Sequence, residues 1–224
     1  MKLNQNTIET LKNFAGINTN ILIKQGNELS TISTMRNIFA KAKISDEFTN
    51  EFGIYDLNEF LSAVSCFAKP ELSLQDKFMT ISSEGSKSKV KYFYSDPSVI
   101  VSPTKPVNMP EADVTFSLSS TNYKELLKMA AILKTPDLAL IGTKGGDVVL
   151  KICDKKNDTA NTFDIVVGQS ATADYTFYFK VENMKMLDGD YDVAVSSKSI
   201  SHFKHTKLPV EYWIALEPDS TITK

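Results

Sequence analysis

At 224 residues the chain can form one large domain or two domains of roughly 110 residues. Its 42% hydrophobic residues are enough for a core, and 25 basic against 27 acidic residues exclude a nucleic-acid binder that relies on overall positive charge. Only one basic residue, Arg36, is an arginine. Because arginine is the residue that most often reads base edges, any nucleic-acid binding is expected to ignore base sequence.

The cysteines and the apolar runs indicate where the protein works. Cys66 and Cys153 are expected to be free thiols in a reducing compartment. The first residues contain no apolar run of signal-peptide length, and the longest unbroken apolar runs, "MAAIL" and "YWIAL", have five residues. The sequence therefore predicts a soluble intracellular protein without a membrane span.

The first half of the chain predicts two helices among several strands. The first helix has Asn6 or Thr7 as its N-cap, and the second, at 56–68, is capped by Asp56. The apolar residues that recur at helical spacing are Ile8, Leu11, Phe14 and Ala15 in the first helix and Leu57, Phe60, Leu61 and Val64 in the second. Strands are predicted at 20–24, 28–34 and 39–45, followed by a hairpin of 77–84 with 89–95.

Residues 96–113, "DPSVIVSPTKPVNMPEAD", differ in composition from the rest of the chain. They contain Pro97, Pro103, Pro106 and Pro110. Proline lacks an amide donor and has a fixed φ, so such a run is extended and unsuited to a sheet. The sequence therefore predicts a connector at 100–111 between a first domain at 1–99 and a second domain at 112–224.

The second half repeats the order of the first. Its predicted helix, at 121–133, turns inward Tyr123, Leu126, Leu127, Ala130 and Leu133. Strands are predicted at 112–120, 162–168, 174–181, 189–197 and 210–216, with a hairpin at 136–152 that turns at Gly145-Gly146 and a short helix at 182–187. A shift of 116 residues aligns Glu9, Leu11 and Lys12 with Glu125, Leu127 and Lys128. The chain is thus predicted to be an α+β tandem repeat.

Lysines recur on or beside the predicted helices. Lys124 and Lys128 lie one turn apart on the side away from the apolar stripe, and Lys12 takes the matching place on the first helix. The full set is Lys2, Lys12, Lys124, Lys128, Lys134 and Lys185. Together they suit a surface that follows a phosphate backbone. An ordinary solvated helix face is the alternative, and it is favoured by Glu9, Glu59, Glu125 and Glu182 on the same helices.

Four stretches are similar to a known family. "IYDLNEFL", "NMKMLDGDYDV", "VSPTKPVNMP" and "YWIALEPDST" together resemble the DNA polymerase sliding clamp of tailed bacteriophages, and the resemblance runs over the whole chain. It implies two tandem clamp-type domains, each a β-sheet with two helices on one face, and a trimeric ring of six domains with the helices lining the hole. The lysines above would then face the DNA.

The resemblance also implies partners. The homotrimer would encircle double-stranded DNA without sequence preference and tether the replicative DNA polymerase in the host cytoplasm. An ATP-dependent clamp loader would place it on DNA, and transcription factors are possible further partners. No cofactor is implied.

Two further sets of residues follow from the resemblance. A pocket for apolar side chains of partner peptides is expected from Val101, Pro103, Val107, Ile214, Leu216 and Pro218. Ring closure is expected to join strands edge to edge, with Val90, Tyr92 and Tyr94 of one chain against Phe163, Ile165 and Val167 of the next. From the residues alone, Ile214 and Leu216 could equally be ordinary core positions, and the connector could be a surface linker.

Motifs for catalysis are not apparent in the sequence. His202 and His205 are expected in a polar loop rather than as metal ligands. "DGDYD" lacks the glycine and the closing glutamate of an EF-hand loop, so a hairpin turn is expected, and "GTKGGD" is not followed by a helix as a phosphate-binding loop would be. The protein is predicted not to be an enzyme. The alternatives are a β-rich virion structural protein and an enzyme with an unrecognised site.

Overall fold

The computed structural model describes residues 1–223. The chain divides into two compact units, Met1–Pro106 (unit 1) and Val107–Lys224 (unit 2). Each unit combines helices with antiparallel strands, so the fold is α+β as predicted. Residue 224, the last of the predicted second domain, lies outside the described residues.

Unit 1 begins with a helix and continues as strands interrupted by a second helix. In chain order its elements are α1 (Gln5–Ile17), β1 (Ile21–Ile23), β2 (Gly26–Ile32), β3 (Ile38–Phe48), β4 (Phe52–Ile54), α2 (Leu57–Ser65), β5 (Pro70–Leu74), β6 (Phe78–Ser83), β7 (Lys89–Phe93) and a 3-10 turn (Pro97–Val99). β1 pairs with β4, β2 with β3, and β6 with both β5 and β7. Residues 1–3 run beside β5, where Lys2 forms a bridge with Glu71.

The two helices of unit 1 bury the residues that the helical spacing predicts. Leu11 and Phe14 of α1 and Phe60 of α2 are buried, and α1 packs against α2 and β3. The N-cap of α1 is Asn4, whose side chain accepts a bond from Asn6 N at 2.9 Å, so the prediction of Asn6 or Thr7 was wrong. Asp56 caps α2 as predicted, because its Oδ1 accepts from two amides at the helix start.

Unit 2 contains one long helix and two groups of neighbouring strands. Its elements are β8 (Val114–Leu118), α3 (Ser120–Leu133), β9 (Asp137–Gly142), β10 (Val148–Cys153), β11 (Phe163–Gly168), β12 (Asp174–Lys180), a 3-10 turn (Val181–Asn183), β13 (Tyr191–Ser196), β14 (Ile200–His205), β15 (Val210–Ala215) and β16 (Thr221–Thr223). One sheet has the order β11-β10-β9-β12-β16, and β8, β13, β14 and β15 are neighbours in another, so this unit uses more than one sheet.

Several local predictions for unit 2 are confirmed. β9 and β10 form the predicted hairpin, and Gly145 has the positive φ of 78° that its turn requires. Tyr123, Leu126 and Ala130 of α3 are buried as expected, whereas Leu127 and Leu133 are only half-buried. Both cysteines are free thiols.

The predictions of a short helix and of a histidine-containing loop in unit 2 were wrong. The short helix expected at 182–187 is a single 3-10 turn, and irregular backbone follows it up to β13. His202 and His205 lie on strand β14 instead of in a polar loop, and His205 is buried. The Nδ1 atom of His205 accepts bonds from Lys207 N at 3.0 Å and Leu208 N at 3.1 Å, so this ring holds the turn that follows the strand.

Candidate DNA-facing and partner surfaces

The exposed face of α3 carries two of the predicted lysines. Lys124 and Lys128 are exposed, on the side of the helix opposite Tyr123 and Leu126. Lys124 is not free, because its Nζ lies 2.6 Å from Asp188 Oδ2. Lys128 has no ion partner among residues 1–223. Lys134, exposed at the C-cap of α3, has a left-handed φ of 55° and lies about 15 Å along the helix axis from Lys124.

The "DGD" turn stabilises the start of α3. Asp188 Oδ1 accepts from Ser120 Oγ at 2.5 Å, and Asp190 Oδ1 accepts from Ser120 N at 2.8 Å. The hydrogen bond from Lys124, followed by that from Ser120, holds the pKa of Asp188 below its ordinary value. The carboxylates of Asp188 and Asp190 are therefore engaged in hydrogen bonds with the first turn of α3. The segment lies before β13 and is not the predicted hairpin turn.

Tyr123 of α3 holds the backbone on both sides of Lys185. Its hydroxyl donates to Met184 O at 2.8 Å and accepts from Met186 N at 3.2 Å. Burial raises the pKa of Tyr123 to about 12, so the hydroxyl keeps its proton near neutral pH and can continue to donate. Lys185 is thereby exposed between two buried methionines, beside the first turns of α3.

Two further tyrosines hold the next residue, Leu187. Its amide donates to Tyr212 OH at 3.1 Å, and its carbonyl accepts from Tyr191 OH at 2.5 Å. Both rings are fully buried. Side-chain bonds therefore fix the irregular segment 184–187 in the place where a helix was expected.

Unit 1 presents its lysines differently. Lys12 is exposed on α1 and has no ion partner among the described residues. Lys2 lies on the extended segment beside β5, where its Nζ is 2.9 Å from Glu84 Oε2 and 3.3 Å from Glu71 Oε1. Lys2 and Lys124 thus have carboxylate partners, and such exposed pairs are weak.

Near the start of the connector, the backbone of Val101 is bonded to two side chains of unit 1. Asn18 Nδ2 donates to Val101 O at 3.2 Å, and Val101 N donates to Asn20 Oδ1 at 3.0 Å. Val101 and Pro103 are half-buried. The two asparagines were not predicted from the sequence. The available signal was weak: they directly follow the apolar stripe of α1, where a side-chain amide can satisfy backbone groups of a loop.

The remaining predicted pocket residues belong to unit 2. Val107 is half-buried at its beginning, and Pro218 is exposed near its end. Ile214 lies on β15 with no exposed surface, and Leu216, just after the strand, is also buried. Of the four, Pro218 is therefore the one with an exposed side chain.

The residues predicted for ring closure lie on or beside an edge strand in each unit. Within residues 1–223, β7 pairs only with β6, and β11 pairs only with β10. The predicted residues are all half-buried: Val90, Tyr92 and Tyr94 in unit 1 and Phe163, Ile165 and Val167 in unit 2. The opposite faces expose Phe93 (62%) and Val166 (53%). Unpaired edges with exposed apolar side chains suit strand addition.

Metal-binding clusters and membrane-spanning helices are absent from the described part of the chain. Residues 1–223 contain no group of three or more histidine, cysteine, aspartate or glutamate side chains arranged to hold a metal ion. Within that range no helix is both long enough and apolar enough to cross a membrane.

Comparison with known proteins gives consistent matches over both units. Residues 2–102 match the family described as DNA polymerase processivity factor, and residues 115–218 match the C-terminal domain of the gp45 sliding clamp. The sliding clamp of Vibrio phage KVP40 is 34% identical, covering 97% of this chain and 99% of the relative. The sliding clamp of Escherichia phage RB69 is 32% identical, covering 99% of each.

The fold is also found among solved structures. PCNA from Thermococcus kodakaraensis superposes with a TM-score of 0.71 at 11% identity, covering 95% of this chain and 96% of that protein. At this identity the likeness concerns the fold alone.

Proposed function

Because this chain belongs to the family of phage sliding clamps, the DNA polymerase processivity factors, we propose that three copies close into a ring around duplex DNA. The observation that carries this proposal is the pair of open strand edges, β7 in unit 1 and β11 in unit 2. A head-to-tail contact between two different surfaces generates a closed ring when the rotation fits. Val90, Tyr92 and Tyr94 would then meet Phe163, Ile165 and Val167 of the neighbouring copy.

The charges suit a ring that slides. Encirclement holds DNA by topology, so the protein needs no tight contact with it. Lysines distributed over α1, α3 and the 184–187 segment would attract phosphates weakly, in a salt-dependent way that ignores base sequence. A net charge of -2 keeps the rest of the surface from binding DNA. The DNA-facing set is proposed as Lys2, Lys12, Lys124, Lys128, Lys134 and Lys185.

The first test is equilibrium sedimentation over a wide range of protein concentration. The chain mass is 24.9 kDa, and we expect a species of three chain masses that dissociates on dilution. A monomer at every concentration would contradict ring closure by the chain alone. Retention on nicked circular DNA, and release when the circle is cut, would then separate encirclement from ordinary binding.

Partner binding is proposed at the connector and the C-terminal segment. Apolar side chains of a replicative polymerase or of an ATP-dependent clamp loader would insert at Val101, Pro103, Val107, Leu216 and Pro218. Ile214, the sixth predicted residue, has no exposed surface and would support the site from the core. Transcription factors would compete for the same residues. We expect Leu216→Ala to uncouple the polymerase while the trimer persists. Loss of the trimer or of the fold in this variant would identify Leu216 as a core residue instead.

The role is one of tethering, carried out in the host cytoplasm without a cofactor and without catalysis. The alternative of a virion structural protein has no support in the family membership, which is that of replication factors. An increase in polymerase run length on primed DNA, dependent on this protein, is the activity expected of the ring.

A further inference from the structure

Unit 2 contains a group of charged residues that the proposed function does not use. Lys155 Nζ lies 2.7 Å from Asp219 Oδ1 and 3.3 Å from Glu217 Oε2. Lys180 Nζ lies 2.5 Å from Asp137 Oδ1, and Asp137 Oδ2 accepts from Lys155 N at 3.0 Å. The group joins the start of β9, the end of β12, the loop after β10 and the C-terminal segment.

Two of these residues, Lys155 and Asp137, are more buried than the members of surface ion pairs usually are. The side chain of Lys155 is 11% exposed and that of Asp137 is 1% exposed. Burial alone would lower the pKa of the Lys155 ammonium, but Asp219 and Glu217 hold it above its ordinary value. A buried lysine that loses its partners carries a large desolvation cost, so these contacts fix the side chains in place.

The two carboxylates held by Lys155 flank Pro218. Residues on either side of Pro218 are also bonded to Tyr178 of β12: Glu217 N donates to Tyr178 O at 2.8 Å, and Tyr178 N donates to the side-chain Oγ of Ser220 at 2.9 Å. Between these two anchors Pro218 is exposed. Lys155 and Tyr178 therefore both hold the segment that follows Leu216.

We propose that Lys155 is a positioning residue for partner binding, which holds the C-terminal segment 217–220 in the shape that a partner peptide meets. The inference rests on the proposed function, in which Leu216 and Pro218 contact the polymerase. Lys155 itself need not touch the partner, because its ammonium is occupied by the two carboxylates beside Pro218. The loop after β10, which carries no recognisable motif, thereby acquires a role.

The test compares Lys155→Met with two controls in the full-length chain. Lys156→Met removes the neighbouring lysine, which is exposed, and Lys155→Arg keeps the positive charge. The measurements are hydrogen exchange of the Glu217 and Ser220 amides, trimer formation by sedimentation, and the Kd for the cognate replicative polymerase on primed circular DNA. We expect Lys155→Met to accelerate the exchange and to raise the Kd roughly tenfold with the trimer unchanged. Lys156→Met should match the wild type, and Lys155→Arg should retain most of the affinity.

Two outcomes would overturn the inference. Unchanged exchange in Lys155→Met would show that Lys155 does not hold the segment, and faster exchange with an unchanged Kd would show that the segment does not form part of the partner site. If Lys155→Met fails to assemble, Asp219→Asn loosens the same contact at a half-exposed carboxylate, and the same two outcomes apply. Failure of the proposed function is distinguishable, because the wild-type protein would then not bind the polymerase or lengthen its runs.

Discussion

Unit 1 and unit 2 anchor the segment after their last long strand with different chemistry. In unit 1, the amides of Asn18 and Asn20 bind the backbone of Val101. In unit 2, the ammonium of Lys155 binds the carboxylates of Glu217 and Asp219. The same place in a tandem repeat can therefore be filled by neutral hydrogen bonds to the backbone or by ion pairs between side chains.

The two units also differ in the buried side chain that follows their first helix, which is neutral in unit 1 and charged in unit 2. Asn18, the C-cap of α1, donates to Ile32 O at 2.8 Å, at the end of β2. Asp137, shortly after α3, accepts from Lys155 N, just beyond β10. Both side chains are buried, and both bond to a backbone group at or just beyond the end of a strand. Because Asp137 is charged, its removal should cost more than the removal of Asn18.

The largest effect is expected for Asp137→Ala. Removing one partner of a buried ion pair leaves Lys180 with the more distant Glu217, whose Oε2 lies 3.9 Å from the ammonium, and leaves the amide of Lys155 without its acceptor. We expect the free energy of unfolding to fall by about 3 kcal/mol, measured by urea unfolding at constant protein concentration. The control is Asp158→Ala, an exposed residue of the loop after β10, which should change the free energy of unfolding by less than about 0.5 kcal/mol. A loss of under about 1 kcal/mol in Asp137→Ala would contradict the importance of this ion pair.

The counterpart in unit 1, Asn18→Ala, should have a smaller effect. It removes three hydrogen bonds, to Ile32 O, to Val101 O and from Asn20 N, but it leaves no charge without a partner. We expect a loss of about 2 kcal/mol in the same unfolding measurement. Asn50→Ala, at an exposed position, is the matched control. Equal losses for Asn18→Ala and Asp137→Ala would show that the two units differ in chemistry without differing in energetics.

The sequence predicted most elements of both units and missed the strands β4, β5, β14 and β16. The apolar stripes of α1 and α3 and the glycine turn of the β9–β10 hairpin are strong local signals. β4 is buried at all three positions, so it shows no alternation. β14 was missed because Ser201 and His205 occupy inward positions beside Phe203, where the alternating pattern requires apolar residues.

The sequence predicted which residue types lie on the candidate surfaces, but it did not predict which residues bond to one another there. Exposed lysines could be read from the helical spacing. The ion pair of Lys124 with Asp188 joins residues 64 positions apart in sequence, and the bonds of Asn18 and Asn20 to Val101 cross more than 80 positions. Such contacts depend on how the chain folds back on itself, and local spacing does not predict them.

The two open edges also differ between the units. The outward face of β7 carries Lys89, Lys91 and Phe93, whereas that of β11 carries Asp164 and Val166. Val166→Lys would place a cation opposite a basic edge in the proposed ring. We expect the trimer dissociation constant to rise at least about tenfold, as measured by sedimentation, because like charges at an interface repel. Val99→Lys, equally exposed but outside the strand edge, should leave it unchanged, and an unchanged constant in Val166→Lys would place the interface elsewhere.

The smallest effect is expected on DNA binding, when single lysines on the helices are replaced. Here the two units carry lysines at corresponding positions. Lys12 and Lys128 match in the repeat and have no ion partner among residues 1–223, whereas Lys124 is paired with Asp188. A lysine that already has a carboxylate partner releases fewer ions when it meets a phosphate. We therefore expect Lys12→Gln and Lys128→Gln to reduce the slope of log K against log salt by similar amounts, at most about 0.9 for each phosphate that is no longer neutralised. Lys124→Gln should reduce it less.

The measurement for these variants is equilibrium binding to a long duplex at several salt concentrations. Lys87→Gln, in the exposed turn between β6 and β7, is the control and should leave the slope unchanged. Equal slopes for Lys124→Gln and Lys128→Gln would show that Asp188 does not compete with phosphate for Lys124. Wild-type slopes for both Lys12→Gln and Lys128→Gln would remove the two residues from the DNA-facing surface, because a carboxamide cannot replace the charge that displaces counterions. The attraction would then have to come from other lysines of the proposed set.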